Sequence, residues 1–201
     1  MTRGHFIVLE GGEASGKSTQ CRLLADRIGA VATFEPGATA VGAELRRVLL
    51  GADTGALDAR AEALMMIADR AQHVFEVVEP ALAAGRDVVC DRYAGSTIAY
   101  QGRGRGLDED QLRSMSRWAT GGLEPDLVVL LHVPPDEAAR RLSGSPDRME
   151  AAGDAFHARV ADGFGALAVA DDRWAAVDGV GSVDDVAARV ASVVRDRLGR
   201  G

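Results

Sequence analysis

Five short apolar runs punctuate this chain: FIVL (6–9), VATF (31–34), DVVC (87–90), DLVVLLHV (126–133) and RWAAV (173–177). Long stretches of 3.6-residue periodicity separate them. The clearest spans about 56–84, with Leu64, Ile67, Ala71, Val74, Phe75, Val78 and Leu82 on its apolar positions and Gly85 at its end. Brief Val/Ile/Leu runs without polar alternation suit strands covered on both faces, and helical crossovers between them suit parallel pairing. The pattern predicts an α/β fold with a five-stranded parallel sheet, helices on both faces, and residues 1–201 as one domain. Two glycine-, arginine- or proline-broken segments read as mobile loops: QGRGRGLDED (101–110) and RRLSGSPDRMEAAGD (140–154).

The net charge of −7 opposes a general nucleic-acid or acidic-membrane binder but leaves room for a local basic pocket around a small anion. Cys21 and Cys90 give neither a disulfide framework nor metal spacing and read as reduced core thiols. His5, His73, His132 and His157 lack metal-like spacing, and His73 reads as structural. Every apolar run is far shorter than the ~20 residues of a membrane-spanning helix. The start MTRGHFIVLE has no signal-peptide layout, so the expected location is the cytoplasm.

The stretch EGGEASGKST (10–19) follows the first apolar run and opens the helical pattern QCRLLADRIG. It holds Lys17, the single lysine among 23 Lys and Arg residues. Gly11, Gly16, Lys17 and Ser18 fit G-x-x-x-x-G-K-[ST], the phosphate-binding loop. Glycines let successive N–H groups approach phosphate oxygens, and the following helix points its positive end at them. In that loop Lys17 reaches the β- and γ-phosphates and the Ser18 hydroxyl binds Mg²⁺. Residues Gly11, Gly12, Glu13, Ala14, Ser15, Gly16, Lys17, Ser18 and Thr19 are therefore the expected ATP site. Arginine would substitute poorly for Lys17, because a planar fork is not a compact ammonium.

The triplet DRY (91–93) follows the run VVC. An acid at the end of a strand beside a phosphate loop suits a Mg²⁺-associated carboxylate, so Ser18 and Asp91 are the expected metal ligands. A helix cap is the plainer reading of Asp91. Arg92 reads as a phosphate clamp or as a surface ion pair.

Together EGGEASGKST, FEPGAT, ADRAQHVFEVVEPAL, DRYAGSTIAYQGRG and PDLVVLLHV, in this order and spacing, resemble the bacterial thymidylate kinase family, over essentially the whole chain. The resemblance implies a three-layer P-loop kinase fold with a short lid at about 140–154. It also implies a Mg²⁺-dependent transfer of the γ-phosphoryl of ATP to dTMP, and a homodimer with the 56–84 helix as one surface. By position it puts Glu13, Glu35, Pro36, Arg70, Arg92, Thr97, Tyr100 and Gln101 at the acceptor nucleotide, with Tyr100 crowding the sugar 2′ position. Lys17, Asp91 and Arg92 are the implied catalytic set. Relatives supply a further arginine either from the phosphate loop or from the lid. Ala14 occupies the loop position here, which points to the lid, with Arg141 or Arg148 favoured over Arg140; a solvated helix face is the alternative for each.

Three departures qualify the resemblance. Met66 stands where the family has a base-stacking phenylalanine, and plain core packing would also explain it. Phe34 replaces the arginine of T-R-E-P-G-G-T and is a substitute base contact. The lid is arginine-poor. Alternatives are therefore a kinase for another or modified pyrimidine deoxynucleotide, a decayed nucleotide-binding regulator, and, opposed by the acidic balance, a nucleic-acid-stimulated motor.

Overall fold

A computed structural model describes residues 2–51, 53–142 and 147–200. Its centre is one parallel sheet of β1 (Phe6–Glu10), β2 (Val31–Phe34), β3 (Val88–Asp91), β4 (Leu127–His132) and β5 (Trp174–Asp178), in the order β2-β3-β1-β4-β5. All four pairings are parallel, as the five apolar runs predict. The connections cross from β1 to the far edge and back, then continue to the other side. The strand order thus reverses at β1, and ligands of open α/β sheets bind outside the strand ends at such a reversal.

Side chains alternate between two cores. One face of the sheet offers Phe6, Val8, Val88, Cys90, Val128 and Leu130 to α3 (Ala59–His73), α6 (Glu109–Ala119) and α8 (Asp154–Ala170). The other offers Ile7, Leu9, Val89, Leu127, Val129 and Leu131 to α1 (Lys17–Ile28) and α9 (Val183–Leu198). Helices therefore cover both faces. Both cysteines are free and buried in these cores. Among the described residues no helix is long and apolar enough to cross a membrane.

The long periodic segment begins at Ala59, where the Asp58 carboxylate accepts the N–H groups of Arg60 and Ala61. It runs through α3, a π-helical stretch (Val74–Val78) and α4 (Glu79–Ala83). Residues 101–110 do not form the expected mobile loop. After α5 (Ala94–Thr97) the chain continues as a π-helical segment, Ile98–Gly104, and Gln101, Gly102 and Gly104 are buried. Its glycines signal close packing rather than looseness: a Cβ on Gly104 would lie 2.5 Å from the Phe156 ring of α8. In the expected lid, α7 (Pro135–Arg141) and a short 3₁₀ turn (Glu150–Ala152) flank residues 143–146, which lie outside the described residues. The remaining helix, α2 (Ala40–Leu50), lies against α3 and carries Arg46 and Leu50.

Candidate functional site

Residues 11–16 bend around an open cradle at the C-terminal end of β1. Gly11 has φ +147° and would place a Cβ 2.6 Å from the Leu131 carbonyl; Gly16 has φ +91°. Both conformations and the close approach call for glycine. Ala14 takes φ +53° without that excuse, a strained residue at the tip of the loop. The twelve-residue α1 starts at Lys17, with no acidic residue in its first turn, so its free N–H groups and dipole face the cradle.

Lys17 is buried and curls back over the loop, its Nζ donating to the Gly12 carbonyl (2.6 Å) and to Ser15 Oγ (3.1 Å). Burial and the nearby Arg92 charge lower its ammonium to about 8, against the opposing pull of Glu13 and Asp91. Ser18 Oγ donates to Asp91 Oδ2 at 2.5 Å, which joins the start of α1 to the end of β3. The other oxygen, Asp91 Oδ1, is buried without a partner. A hydroxyl and a half-satisfied carboxylate at a phosphate cradle fit a hard, oxygen-seeking cation that takes its remaining ligands from water and phosphate. Among the described residues no group of three or more His, Cys, Asp or Glu is placed to hold a metal ion.

Arg92 follows β3 in a left-handed conformation (φ +72°). Its guanidinium donates to the Gly11 carbonyl (3.1 Å), Ser96 Oγ (3.2 Å), Glu13 Oε1 (2.8 Å) and the Tyr100 hydroxyl (3.2 Å), and lies 5.0 Å from the Tyr100 ring centre. Tyr100 donates its own O–H to Glu13 Oε1 at 2.6 Å. Burial alone would raise the Glu13 carboxyl, but the Arg92 and Lys17 charges hold it down at about 2. Behind this group Glu10, fully buried, accepts from the Tyr93 and Ser96 N–H groups and from Ser96 Oγ. Glu10 thereby shapes the turn that aims Arg92, a role the sequence did not reveal.

A second cluster lies beyond. Glu35 accepts from Arg70 Nε (2.9 Å) and bonds His73 Nδ1 (2.9 Å), and His73 Nε2 meets Thr33 Oγ1 (2.6 Å). His73 is thus structural, as read. Arg70 also donates to Ser116 Oγ, the Tyr93 carbonyl and Thr97 Oγ1. Four of its five N–H donors are occupied among the described residues, which fixes the fork and leaves one for a ligand. Neighbouring Asp69 accepts from the Gly37 N–H through Oδ1, while Oδ2 is buried without a partner. Burial and the Glu35 charge push this carboxyl up to about 6.

Two cavities share this ground. One is lined by the phosphate loop, Asp91, Arg92, Phe34 and Arg141. The other is lined by Glu13, Glu35, Pro36, Met66, Arg70, Arg92, Thr97, Tyr100 and Gln101, together with Arg46, Leu50, Asp69 and Met149. Glu13, Glu35, Arg46 and Arg92 wall both. Of the residues expected at the acceptor, Phe34 alone is not brought into the second cavity. It sits on the phosphate-loop side, half exposed, with the Arg46 guanidinium 5.9 Å from its ring centre. The strand alternation that buries Thr33 turns Phe34 the other way.

The two lid arginines part company. Arg141 lines the phosphate-loop cavity, donating to Glu137 Oε1 (2.7 Å) and the Gly179 carbonyl (3.0 Å). Arg148 lies on the acceptor side, bound to the Leu49 carbonyl (2.7 Å) and Glu62 Oε2 (2.6 Å). Sequence reasoning missed Glu10, Arg46, Leu50, Glu62, Asp69 and Met149. Arg46 and Leu50 stand four apart on one helix face, and Asp69 adjoins Arg70, but nothing local says that these faces turn toward a cavity.

A sequence-family model described as thymidylate kinase matches residues 9–190. A thymidylate kinase of Synechococcus sp. (strain JA-2-3B'a(2-13)) is 48% identical over 199 residues, covering 96% of this chain and 95% of that protein. One of Cutibacterium acnes (strain DSM 16379 / KPA171202) is 50% identical over 172 residues, covering 83% and 84%. The crystal structure of thymidylate kinase from Ehrlichia chaffeensis superposes with a TM-score of 0.80 at 29% identity, covering 96% of this chain and 99% of that one. With a phosphate loop and a second cavity meeting at Glu13 and Arg92, and with these relatives, this chain belongs to the thymidylate kinase family.

Proposed function

We propose that this protein transfers the γ-phosphoryl group of ATP to dTMP, giving dTDP, with Mg²⁺. The observation that carries the reading is the meeting of two cavities at Glu13 and Arg92. A donor held by the phosphate loop and an acceptor held around Arg70 would bring their phosphates together there. The attacking atom is an anionic phosphate oxygen, so no side chain has to remove a proton; catalysis rests on in-line alignment and neutralised charge. Lys17 and the α1 amides hold the donor phosphates. Arg92, tethered by Glu13 and Tyr100, clamps the acceptor phosphate. Arg70, Gln101 and Thr97 face the base, and Met66 packs on it as a softer platform than an aromatic ring. Tyr100 borders the sugar. Arg141, on the donor side, is the lid arginine better placed for the transferred group. Ser18 and Asp91 would hold the Mg²⁺, which when bound neutralises phosphate charge.

A coupled assay with ATP over dTMP, dUMP, dCMP and dGMP tests the reading. Preferred turnover of dTMP is expected. Clear preference for another monophosphate would sink it in favour of a different pyrimidine kinase, which Met66 in place of an aromatic permits. Nucleotide binding with no product across the panel would favour a decayed regulator. We further read the chain as one kinase domain, acting in the cytoplasm as a homodimer through the exposed face of α3. Leu64 of α3 and Phe75 of the π-helical stretch that continues it, eleven residues apart, are both exposed there.

A further inference from the structure

Glu62, in the first turn of α3, has no exposed surface, and its side chain hydrogen-bonds neither the phosphate loop nor Arg70 among the described residues. Its carboxylate nevertheless takes four hydrogen bonds from three residues on two segments of the chain. Oε1 accepts from Gln101 Nε2 (2.8 Å) and Arg105 Nε (3.2 Å). Oε2 accepts from Arg105 NH2 (3.2 Å) and Arg148 NH2 (2.6 Å). Two guanidinium groups keep it ionised, and an ionised carboxylate only accepts. A side-chain amide against it must therefore present its NH₂. Turning Gln101 over would set its carbonyl oxygen against a carboxylate oxygen in a buried site, which is strongly unfavourable.

From this geometry we infer that Glu62 is a specificity-determining positioning residue: by holding the Gln101 NH₂ it leaves the Gln101 carbonyl oxygen as the group that reads the acceptor base. Gln101 Oε1 has no protein partner among the described residues, and Gln101 lines the acceptor cavity. An acceptor oxygen suits the N3–H of a thymine or uracil ring. Against a cytosine ring it meets the N3 lone pair instead. A site whose polar atom is left unpaired rejects the wrong ligand far better than an apolar wall does. Arg148 and Arg105 belong to the same device. They satisfy the rest of the carboxylate, so that Glu62 cannot swing away from Gln101.

The inference rests on the proposed dTMP kinase reading, and the experiment separates the two. kcat/KM is measured for dTMP and dCMP on the wild type, on Glu62→Gln and on Gln101→Met. In Glu62→Gln the new amide can donate to Gln101 Oε1 and let Gln101 turn. The dTMP-to-dCMP ratio is expected to fall at least about tenfold, with KM for ATP unchanged. Gln101→Met is expected to lower the ratio similarly, and the double variant no further. If Glu62→Gln does not fold, Glu62→Gln/Arg105→Met keeps the net charge of the cluster and takes its place. A folded Glu62 variant with the wild-type ratio, or Gln101→Met with an intact ratio, overturns the inference alone. Failure of the wild type to turn over dTMP overturns the underlying reading.

Discussion

At the residue scale, the single lysine has a titration consequence. Lys17 in the free protein is lowered to about 8 by burial and by Arg92. Polyphosphate beside it would favour the charged form and raise that value. At pH 8.5 most free molecules carry neutral Lys17, so nucleotide binding takes up a fraction of a proton; near pH 6.5 Lys17 is already charged and contributes no uptake. Affinity for ATP therefore weakens as pH rises through about 8 to 9.5. Calorimetry in buffers of different ionisation enthalpy measures the uptake, and a zero value at pH 8.5 would count against it. The lid arginines make a second contrast. Arg141→Ala is expected to lower kcat at least about tenfold, because it removes a cation from the donor side. Arg148→Ala is expected to act mainly on KM for dTMP, since its partners Leu49 and Glu62 lie on the acceptor side. If both variants keep wild-type kcat, the lid contributes no catalytic arginine.

At the element scale, the helix Ile98–Gly104 is where the site depends on packing. It carries Tyr100 and Gln101 and lies close against α8, with Gly163 meeting Ala99 and Arg103 and Gly104 meeting Phe156. Gly104→Ala has no room for its methyl and should destabilise the protein by about 1–3 kcal/mol while raising KM for dTMP. Gly165→Ala, in the same α8 but facing open space, should stabilise by roughly 0.5–1 kcal/mol and leave kinetics alone. Thermal melts of the two variants distinguish them, and equal effects would refute the packing argument. This segment also marks a limit of pattern reading. Glycine and arginine in QGRGRG look like a loop when only the local chain is considered. The same glycines are what a buried helix needs when another helix touches its backbone.

At the scale of the whole molecule, the proposed dimer rests on one face. Leu64 of α3 and Phe75 of its π-helical continuation project into solvent, 53% and 72% exposed, while the opposite side of this helical run fills the core. Both are too exposed for a charge to disturb folding much. Leu64→Glu/Phe75→Glu should therefore keep its melting temperature within a few degrees while shifting sedimentation from dimer to monomer. A wild type that sediments as a monomer at micromolar concentration would remove the proposal.

Much of the protein is legible in its sequence. Period and composition pointed to five strands in a parallel sheet covered on both faces, because a strand buried on both faces has few residues to choose from; their order came from the structure. The phosphate loop was equally plain, since its glycines answer to backbone geometry over six residues. Nine of the ten residues expected at the acceptor line one cavity, carried there by the resemblance. Only the tertiary structure decided the rest. It turned Phe34 away from that cavity, sent Arg141 and Arg148 to opposite sides, and drew Glu62 beneath Gln101 across 39 positions of sequence. Those outcomes depend on how separate helices pack around one sheet, and a local pattern holds no record of which distant side chains will share a carboxylate.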